Sequence, residues 1–184
     1  MRKIAMFGLA ALAALTLACS SGGGTTSSVS GGEEQSAPAE AKEKTTTTAK
    51  VGQKVTLTSD ILGEKTVVEV TVANAKQYKV EPGDFGSKPE HGVFLVLDVT
   101  VVCKDGTYHA NPFNFKFVAK DGTVAEIALT IGFKPTMSAA DLSAGQKTNG
   151  KIVFDVPKDA VADGKIQIDG TGLDYDKPAA FWAL

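Results

Sequence analysis

From residue 51 onward, apolar and polar residues alternate with a period of two, which is the pattern of a half-buried β-strand and not of a helix. The strongest run covers residues 93–102, where five aliphatic side chains share one face and the other face is apolar only at its start and its end. Such a run is typical of a central strand. The alternating runs predict an inward-facing core made of Val55, Leu57, Val68, Val70, Val72, Val93, Leu95, Leu97, Val99, Val101, Phe113, Phe115, Phe117, Ile152, Phe154, Val156, Ile166 and Ile168. At roughly 1.5–3 kcal/mol for each buried side chain, this set can form a core without a disulfide or a metal.

Turn signals separate the alternating runs. Residues 81–92 contain two prolines and three glycines and predict a loop. The pairs Asp105-Gly106 and Asp121-Gly122 predict tight turns, because glycine tolerates a positive φ. A return strand is predicted over residues 123–130, and a long connection between sheets, with at most one helical turn near its middle, over residues 131–148. Short strands without a long helical period predict an all-β fold, an antiparallel β-sandwich of about seven strands.

The first nineteen residues have the pattern of a bacterial lipoprotein signal. After a cationic start, residues 4–18 are largely apolar, and fifteen such residues are too few for a membrane-spanning helix, which needs about 20. The segment Thr16-Leu17-Ala18-Cys19 resembles the lipobox, where a diacylglyceryl group is attached to the cysteine, although Thr16 replaces the usual leucine. The resemblance implies cleavage between Ala18 and Cys19, a lipid on Cys19, and anchorage in the cell membrane facing outside the cytoplasm. The alternative is an ordinarily secreted chain.

Residues 19–50 are rich in Gly, Ser, Thr, Ala, Glu and Lys and have almost no large apolar side chain. Such a segment buries too little surface to order itself, so we expect a disordered tether. About thirty residues of this composition would span roughly 30 Å on average and lift a domain away from the lipid headgroups. The alternative is a tail that folds on a partner. The predicted organisation is a signal peptide over 1–18, a lipidated cysteine and flexible linker over 19–50, and one β-sandwich domain over 51–184.

The composition argues against nucleic-acid binding. The only arginine is Arg2, inside the predicted signal, whereas sites for phosphates and guanine edges depend on the planar fork of arginine. Residues 51–184 carry fourteen lysines against seventeen Asp and Glu, a net charge near −3. An acidic domain of this kind favours neither nucleic acid nor a basic membrane-binding patch.

Cys103 is the only cysteine besides Cys19, so a lipid on Cys19 leaves no partner for an intramolecular disulfide. Alternation places Cys103 on the same face as Val99 and Val101, which predicts a buried thiol that packs like a small apolar group. A reactive or partner-linked thiol is the alternative, and it would need exposure and a depressed pKa.

Several segments, taken in order, resemble a family of bacterial immunoglobulin-like domains that has no assigned function. This family is common on lipoproteins of Gram-positive bacteria and is similar in fold to a small secreted mycobacterial immunoprotein. The resemblance covers residues 51–184 and implies an immunoglobulin-like fold and an extracytoplasmic binding or interaction module. Cys103 departs from the family pattern, which usually has a polar residue there. The matching segments are Val51-Gly52, residues 92–101, residues 113–122, residues 142–146 and residues 150–157.

The chain offers little to catalysis. The Gly-x-Ser-x-Gly turn of serine hydrolases is absent from the sequence. His91 and His109 both fall in predicted loops, and the simplest interpretation is that both are solvated. The alternative pairs them with Cys103 and Met137 as a copper or zinc site, although their spacing matches no short metal motif. Acidic residues in predicted loops could hold calcium, but these lack the spacing of a calcium loop. They are Glu81, Asp84, Glu90, Asp105 and Asp121.

These observations lead to one functional expectation. We expect a monomeric, lipid-anchored, non-enzymatic domain that needs no cofactor and binds an envelope or extracellular protein. Metal handling is the alternative. Aromatic side chains outside the predicted core could form an exposed patch for a partner, although core packing is the expected place for most of them. They are Tyr78, Phe85, Tyr108, Phe133, Tyr175, Phe181 and Trp182.

Overall fold

The computed structural model describes residues 25–29, 46–170 and 177–184, and the predicted signal peptide, Cys19 and Tyr175 lie outside these ranges. Within the described residues the regular elements are strands and two short 3₁₀ turns, Pro112–Asn114 and Asp159–Val161. No helix among them is long and apolar enough to cross a membrane. The strands are β1 (Thr25–Val29), β2 (Thr47–Lys50), β3 (Lys54–Ile61), β4 (Glu64–Tyr78), β5 (Val93–Asp105), β6 (Thr107–Ala110), β7 (Phe115–Val118), β8 (Val124–Ala125), β9 (Ala140–Ser143), β10 (Lys147–Val156), β11 (Lys165–Asp169) and β12 (Pro178–Ala183).

The strands form two five-stranded sheets and one two-stranded ladder. The long sheet has the order β1-β3-β4-β5-β10, the short sheet has the order β2-β12-β11-β7-β8, and β6 pairs with β9. Neighbouring strands are antiparallel, except that β2 runs parallel to β12. The predicted antiparallel β-sandwich is confirmed, with more strands than the seven expected.

The core lies between the inner faces of the two sheets. All of the predicted inward side chains except Phe113 are buried, and the completely buried Trp182 joins them. Trp182 donates its indole Nε1–H to the backbone oxygen of Gln53, 2.9 Å away, so its polar atom is also satisfied. The prediction for Phe113 is wrong. Its side chain is 53% exposed, because Pro112 and the capping side chain of Asn111 make a 3₁₀ turn there instead of a strand.

A second, smaller apolar cluster lies on the outer face of the long sheet. Phe94 and Val96 of β5 and Val153 of β10 are covered by Phe133, which comes from the connection between β8 and β9. The Phe133 ring makes edge contacts with Tyr78 and Phe94 at centroid distances of 5.0 and 5.8 Å. The connection between β8 and β9 therefore folds back over the outer face of the long sheet. It covers the start of β5, where the sequence predicted that this second face of the strand is apolar.

Two short strands lie within residues 19–50, the segment predicted to be a lipidated cysteine and flexible linker. β1 pairs with β3 from Thr25 opposite Ser59 to Val29 opposite Val55, and β2 pairs with β12. Backbone groups make these ladders, so a segment rich in Thr and Ser can join a sheet edge without supplying large apolar side chains. The sandwich therefore begins before the predicted boundary at residue 51.

The segment between β7 and β10 also differs from the prediction. The return strand is only Val124–Ala125. Residues 138–142, where a helical turn was predicted, contain the start of strand β9 at Ala140, which pairs with β6. Backbone bonds from Ala128 N–H to Val153 O at 2.8 Å and from Met137 N–H to Lys151 O at 3.0 Å tie the connection to the free edge of β10. Pairing with existing strands decides the structure here, and the irregular sequence could not reveal it.

Candidate functional site

The Glu81 carboxylate joins two loops that are far apart in sequence. It accepts hydrogen bonds from the backbone N–H groups of Ile131 and Gly132, and from the Ser87 hydroxyl at 2.8 Å. The Glu81 N–H donates in turn to the Ser87 carbonyl oxygen at 2.8 Å. Glu81 is only 4% exposed. We name this arrangement the Glu81 clamp: it closes the loop after β4 on itself and fastens it to the β8–β9 connection.

The surroundings of Glu81 favour the ionised carboxylate. The hydrogen bond from the Gly132 N–H lowers the pKa of Glu81 below its ordinary value of 4.5, and it outweighs burial, which raises the pKa. Hydrogen bonds from Ser87 and from the Ile131 N–H lower the pKa further. Donors aimed at a buried carboxylate stabilise its charge, so the clamp carries a negative charge at neutral pH.

Two glycines allow the loops to approach each other this closely. A side chain at Gly86 would collide with the backbone oxygen of Glu81, and one at Gly132 would collide with the backbone oxygen of Pro82. Neither collision involves a flexible side-chain end, so the backbone itself would have to shift. The clamp therefore depends on glycine at both positions.

The clamped loops present apolar side chains to solvent. Phe85 is 94% exposed and Ile131 is 76% exposed, and both line a cavity of about 430 Å³ between the two loops. We call this cavity the loop groove. Its ionisable lining residues are Glu81, Asp84 and Lys134. The groove therefore offers two unpartnered apolar side chains within a rim that carries both signs of charge.

A second apolar groove of about 300 Å³ is lined in part by the same β8–β9 connection. It runs between Phe113, Leu129 and Met137, and Leu129 is 85% exposed at its rim. Leu129 and Ile131 belong to the same short stretch, so the two grooves meet along one exposed connection. Together they form an apolar surface of the kind that marks interaction sites.

The structure does not bring the predicted metal-site residues together. His91 precedes β5 and His109 follows it, and the ten residue steps from Val93 to Cys103 alone extend roughly 33 Å. The His91 Nδ1 lies 3.4 Å from Asp155 and the His109 Nδ1 lies 2.6 Å from Asp141. Each histidine thus has a separate carboxylate partner. Across the described ranges, no three His, Cys, Asp or Glu side chains group as metal ligands.

Cys103 and Met137 are both core residues. Cys103 is completely buried and Met137 is 3% exposed. The Cys103 Sγ lies 3.5 Å from the backbone oxygens of Asp105 and Gly106, and burial raises the pKa of the thiol. The burial predicted for Cys103 is confirmed, and its surroundings favour the neutral thiol over a reactive thiolate.

The sequence indicated some parts of this site but not the contact that makes it. The sequence places Glu81 in a predicted loop and Phe85 among the aromatic side chains outside the predicted core. The clamp itself joins Glu81 to Ile131 across fifty residues, and no local pattern encodes such a pairing. The available signal was weaker: Leu129 and Ile131 are large apolar residues in a stretch without strand alternation, which is unusual for a surface connection.

The described residues form an antiparallel β-sandwich domain with an apolar surface on two loops joined by a buried carboxylate. The chain belongs to the family described as domain of unknown function DUF4352, and the family match covers residues 62–179. No curated protein matches the chain.

Solved structures with the same fold include MPT63, a secreted protein from Mycobacterium tuberculosis. It is 22% identical, with a TM-score of 0.58, and the alignment covers 77% of this chain and all of MPT63. Another is YcdA, a candidate lipoprotein from Bacillus subtilis, which is 14% identical with a TM-score of 0.51. That alignment covers 64% of this chain and 36% of YcdA. At these identities the likeness concerns the fold.

Proposed function

We propose that this chain is a lipid-anchored, non-enzymatic binding domain that faces outside the cytoplasm. The lipobox-like segment ending at Cys19 supports the anchor. Two similar structures, those of a secreted protein and of a candidate lipoprotein, support the location. The chain's membership in a family of domains of unknown function leaves the ligand to be inferred from the surface itself.

The observation that carries the proposal is the exposed apolar surface on the clamped loops. Single exposed apolar side chains are normal on any protein, but Phe85, Leu129 and Ile131 all lie on two loops that one carboxylate holds together. An aromatic side chain beside aliphatic ones is the composition of the energetic centre of many protein interfaces. Because the Glu81 clamp orders both loops in advance, little conformational entropy is lost on binding.

The position of this surface suits a domain that is held at its other end. β1 begins at Thr25, six residues after Cys19, and its start lies beside the end of β3. The loop groove follows the opposite end of β4, roughly 45 Å away for a strand of this length. A lipid on Cys19 would therefore leave the loop groove directed away from the membrane, toward an envelope or extracellular protein with an apolar contact surface.

Binding without catalysis fits the chemistry of the groove. Of its ionisable groups, Glu81 is fully engaged by backbone and hydroxyl donors, which leaves Asp84 and Lys134. These two side chains can orient a partner by charge. The metal alternative receives no support from the geometry, because His91 and His109 lie beyond opposite ends of β5.

The test is a cross-linking pull-down from intact cells that express the full chain, with captured proteins identified by mass spectrometry. We expect a specific envelope or extracellular protein to be enriched with the wild-type chain and lost with the double variant Phe85→Ser and Ile131→Ser. The matched control is Val124→Ser, which replaces a half-exposed apolar residue of β8, and it should keep the partner. Equal capture by the wild type and the double variant would show that the loop groove is not the binding surface.

A further inference from the structure

The β3–β4 hairpin ends in an apolar side chain that the fold does not use. Leu62 is 98% exposed, and its φ of 55° lies in the left-handed region, as does the φ of 85° at Gly63. A two-residue turn with positive φ at both positions is favourable for Asn-Gly or Gly-Gly, and a leucine there is conformationally disfavoured. Asp60 Oδ1 accepts a hydrogen bond from the Gly63 N–H at 3.1 Å and fixes the turn. Leu62 is therefore presented to solvent at a rigid tip.

The register of β1 places this tip next to the anchored end of the chain. Thr25 lies opposite Ser59, and β1 is antiparallel to β3, so the N-terminal end of β1 lies on the side of the hairpin tip. Only six residue steps separate Thr25 from Cys19, and they can span at most about 20 Å. A lipid on Cys19 thus holds the membrane surface within reach of Leu62.

We propose that Leu62 inserts into the lipid bilayer and makes the β3–β4 hairpin a second contact between the domain and the membrane. This inference rests on the proposed lipid anchor at Cys19. A lipid attached at a single residue fixes a domain to a membrane but not its orientation, and a second apolar contact beside the anchor limits tilting. The contact keeps the long axis of the sheet upright and the loop groove directed outward.

The charges around the tip indicate that the contact is apolar and not electrostatic. Two acidic residues, Asp60 and Glu64, flank Leu62, and Lys65 is the single lysine in this turn region. All three charged side chains are exposed. Anionic headgroups would not be attracted by this set, whereas a buried leucine gains from leaving water in any bilayer. Neutral phosphatidylcholine vesicles are therefore the appropriate probe.

The test uses the full lipid-modified chain, purified from membranes and reconstituted into phosphatidylcholine vesicles. An environment-sensitive fluorophore is attached through Glu64→Cys next to the tip, and Cys103 stays unlabelled because it is buried. We expect the probe to be quenched by brominated acyl chains. Adding Leu62→Ser should lower the ratio of membrane-inserted to free hairpin tips by about tenfold or more, and it should remove most of the quenching.

A matched label through Asp84→Cys, beside Phe85 in the loop groove, should not be quenched. Quenching at Asp84→Cys but not at Glu64→Cys would overturn the inference, since the loop surface would then be the membrane contact. Unquenched Glu64→Cys, or quenching that Leu62→Ser leaves unchanged, would also overturn it. Flotation of the vesicles separates the two proposals: a chain that does not float refutes the lipid anchor and this inference together, whereas a chain that floats without tip quenching refutes this inference alone.

Discussion

At the scale of single residues, one carboxylate decides the shape of the surface that we assign to binding. Glu81 gathers donors from Ser87, Ile131 and Gly132, and no other side chain in the loop groove lies between the two loops in this way among the residues described. If the carboxylate is removed, the backbone N–H groups of Ile131 and Gly132 lose their acceptor. The loops would then separate, and Phe85 and Ile131 would no longer be held near each other.

Glu81→Gln should lower the free energy of unfolding by about 1–3 kcal/mol, because the uncharged amide cannot accept as many hydrogen bonds and leaves donors without partners. Urea denaturation of both chains measures the difference. The control is Asp84→Asn, an exposed acidic residue of the same loop, which should change stability by less than about 0.5 kcal/mol. A Glu81→Gln chain as stable as the wild type would show that the clamp contributes nothing to folding.

The same residue predicts a pH dependence. The folded state lowers the pKa of Glu81 below 4.5, so the unfolded chain binds a proton at a higher pH than the folded chain does. The stabilisation by the carboxylate is therefore complete above pH 4.5 and is lost as the pH falls through the lower folded pKa. The stability difference between wild type and Glu81→Gln should shrink on acidification in this window. A difference that grows there would contradict the assignment.

The buried thiol gives an independent prediction at this scale. Cys103 is completely buried and its pKa is raised, so a thiol reagent at neutral pH should not modify it in the folded chain and should modify it after denaturation. Introducing Val124→Cys on β8 supplies a surface thiol that should react at once in the folded state. Rapid reaction of Cys103 in the native protein would mean that this end of β5 opens readily.

At the scale of elements, β5 is the strand on which the long sheet depends. It pairs with β4 on one side and β10 on the other, and its inner face is completely or almost completely buried from Val93 to Cys103. The outer face of its first residues is covered as well, by Phe133. Both faces of this half of β5 are packed against other residues. Water therefore could not fill a cavity left by truncating a side chain there.

Leu97→Ala, in the middle of β5, should cost about 2–5 kcal/mol of stability, the usual range for removing a fully buried leucine side chain. Denaturant unfolding measures it, and Leu62→Ala at the exposed hairpin tip is the matched control with the same atoms removed. The control should stay within about 0.5 kcal/mol of the wild type. If Leu97→Ala and Leu62→Ala lowered the free energy of unfolding by the same small amount, the inward register of β5 would be wrong.

Local sequence predicted the elements in which alternation is long. β3, β4, β5, β10 and β11 each contain enough alternating residues to define a face, and their buried sides were predicted correctly. Short elements such as β1, β6 and β9 were missed because their structure comes from pairing with another strand. Phe113 shows the opposite error: it continues the period of Phe115 and Phe117, but it lies in the 3₁₀ turn that Asn111 caps, and the strand begins only at Phe115.

The candidate site was less predictable than the fold for the same physical reason. The residues before β5 could be assigned to a loop from their glycines and prolines, since those signals are local. The clamp between Glu81 and the connection at Ile131 is a contact between distant segments. The exposure of Ile131 depends on where that connection folds back over the sheet. Neither can be derived from composition or period.

At the scale of the whole molecule, the proposed lipid anchor and the proposed binding surface lie toward opposite ends of the long sheet. Cys19→Ala should release the chain from membranes into the soluble fraction, because the predicted lipid is the main attachment and a single leucine adds little by itself. Cell fractionation with an antibody measures the distribution. Cys103→Ala is the matched control and should remain with the membrane. A Cys19→Ala chain that stays membrane-bound would show that the lipobox interpretation is wrong.

The pairing of β1 with β3 has a mechanical consequence. Because β1 starts at the end next to the proposed lipid anchor and runs antiparallel to β3, a pull on that lipid would act along the strand direction. The ladder from Thr25 opposite Ser59 to Val29 opposite Val55 would then be loaded in shear, with its hydrogen bonds sharing the force, instead of opening one after another. With a partner held at the loop groove, tension would pass lengthwise through β3, β4 and β5. The domain would then act as a force-bearing link between the membrane and whatever it binds.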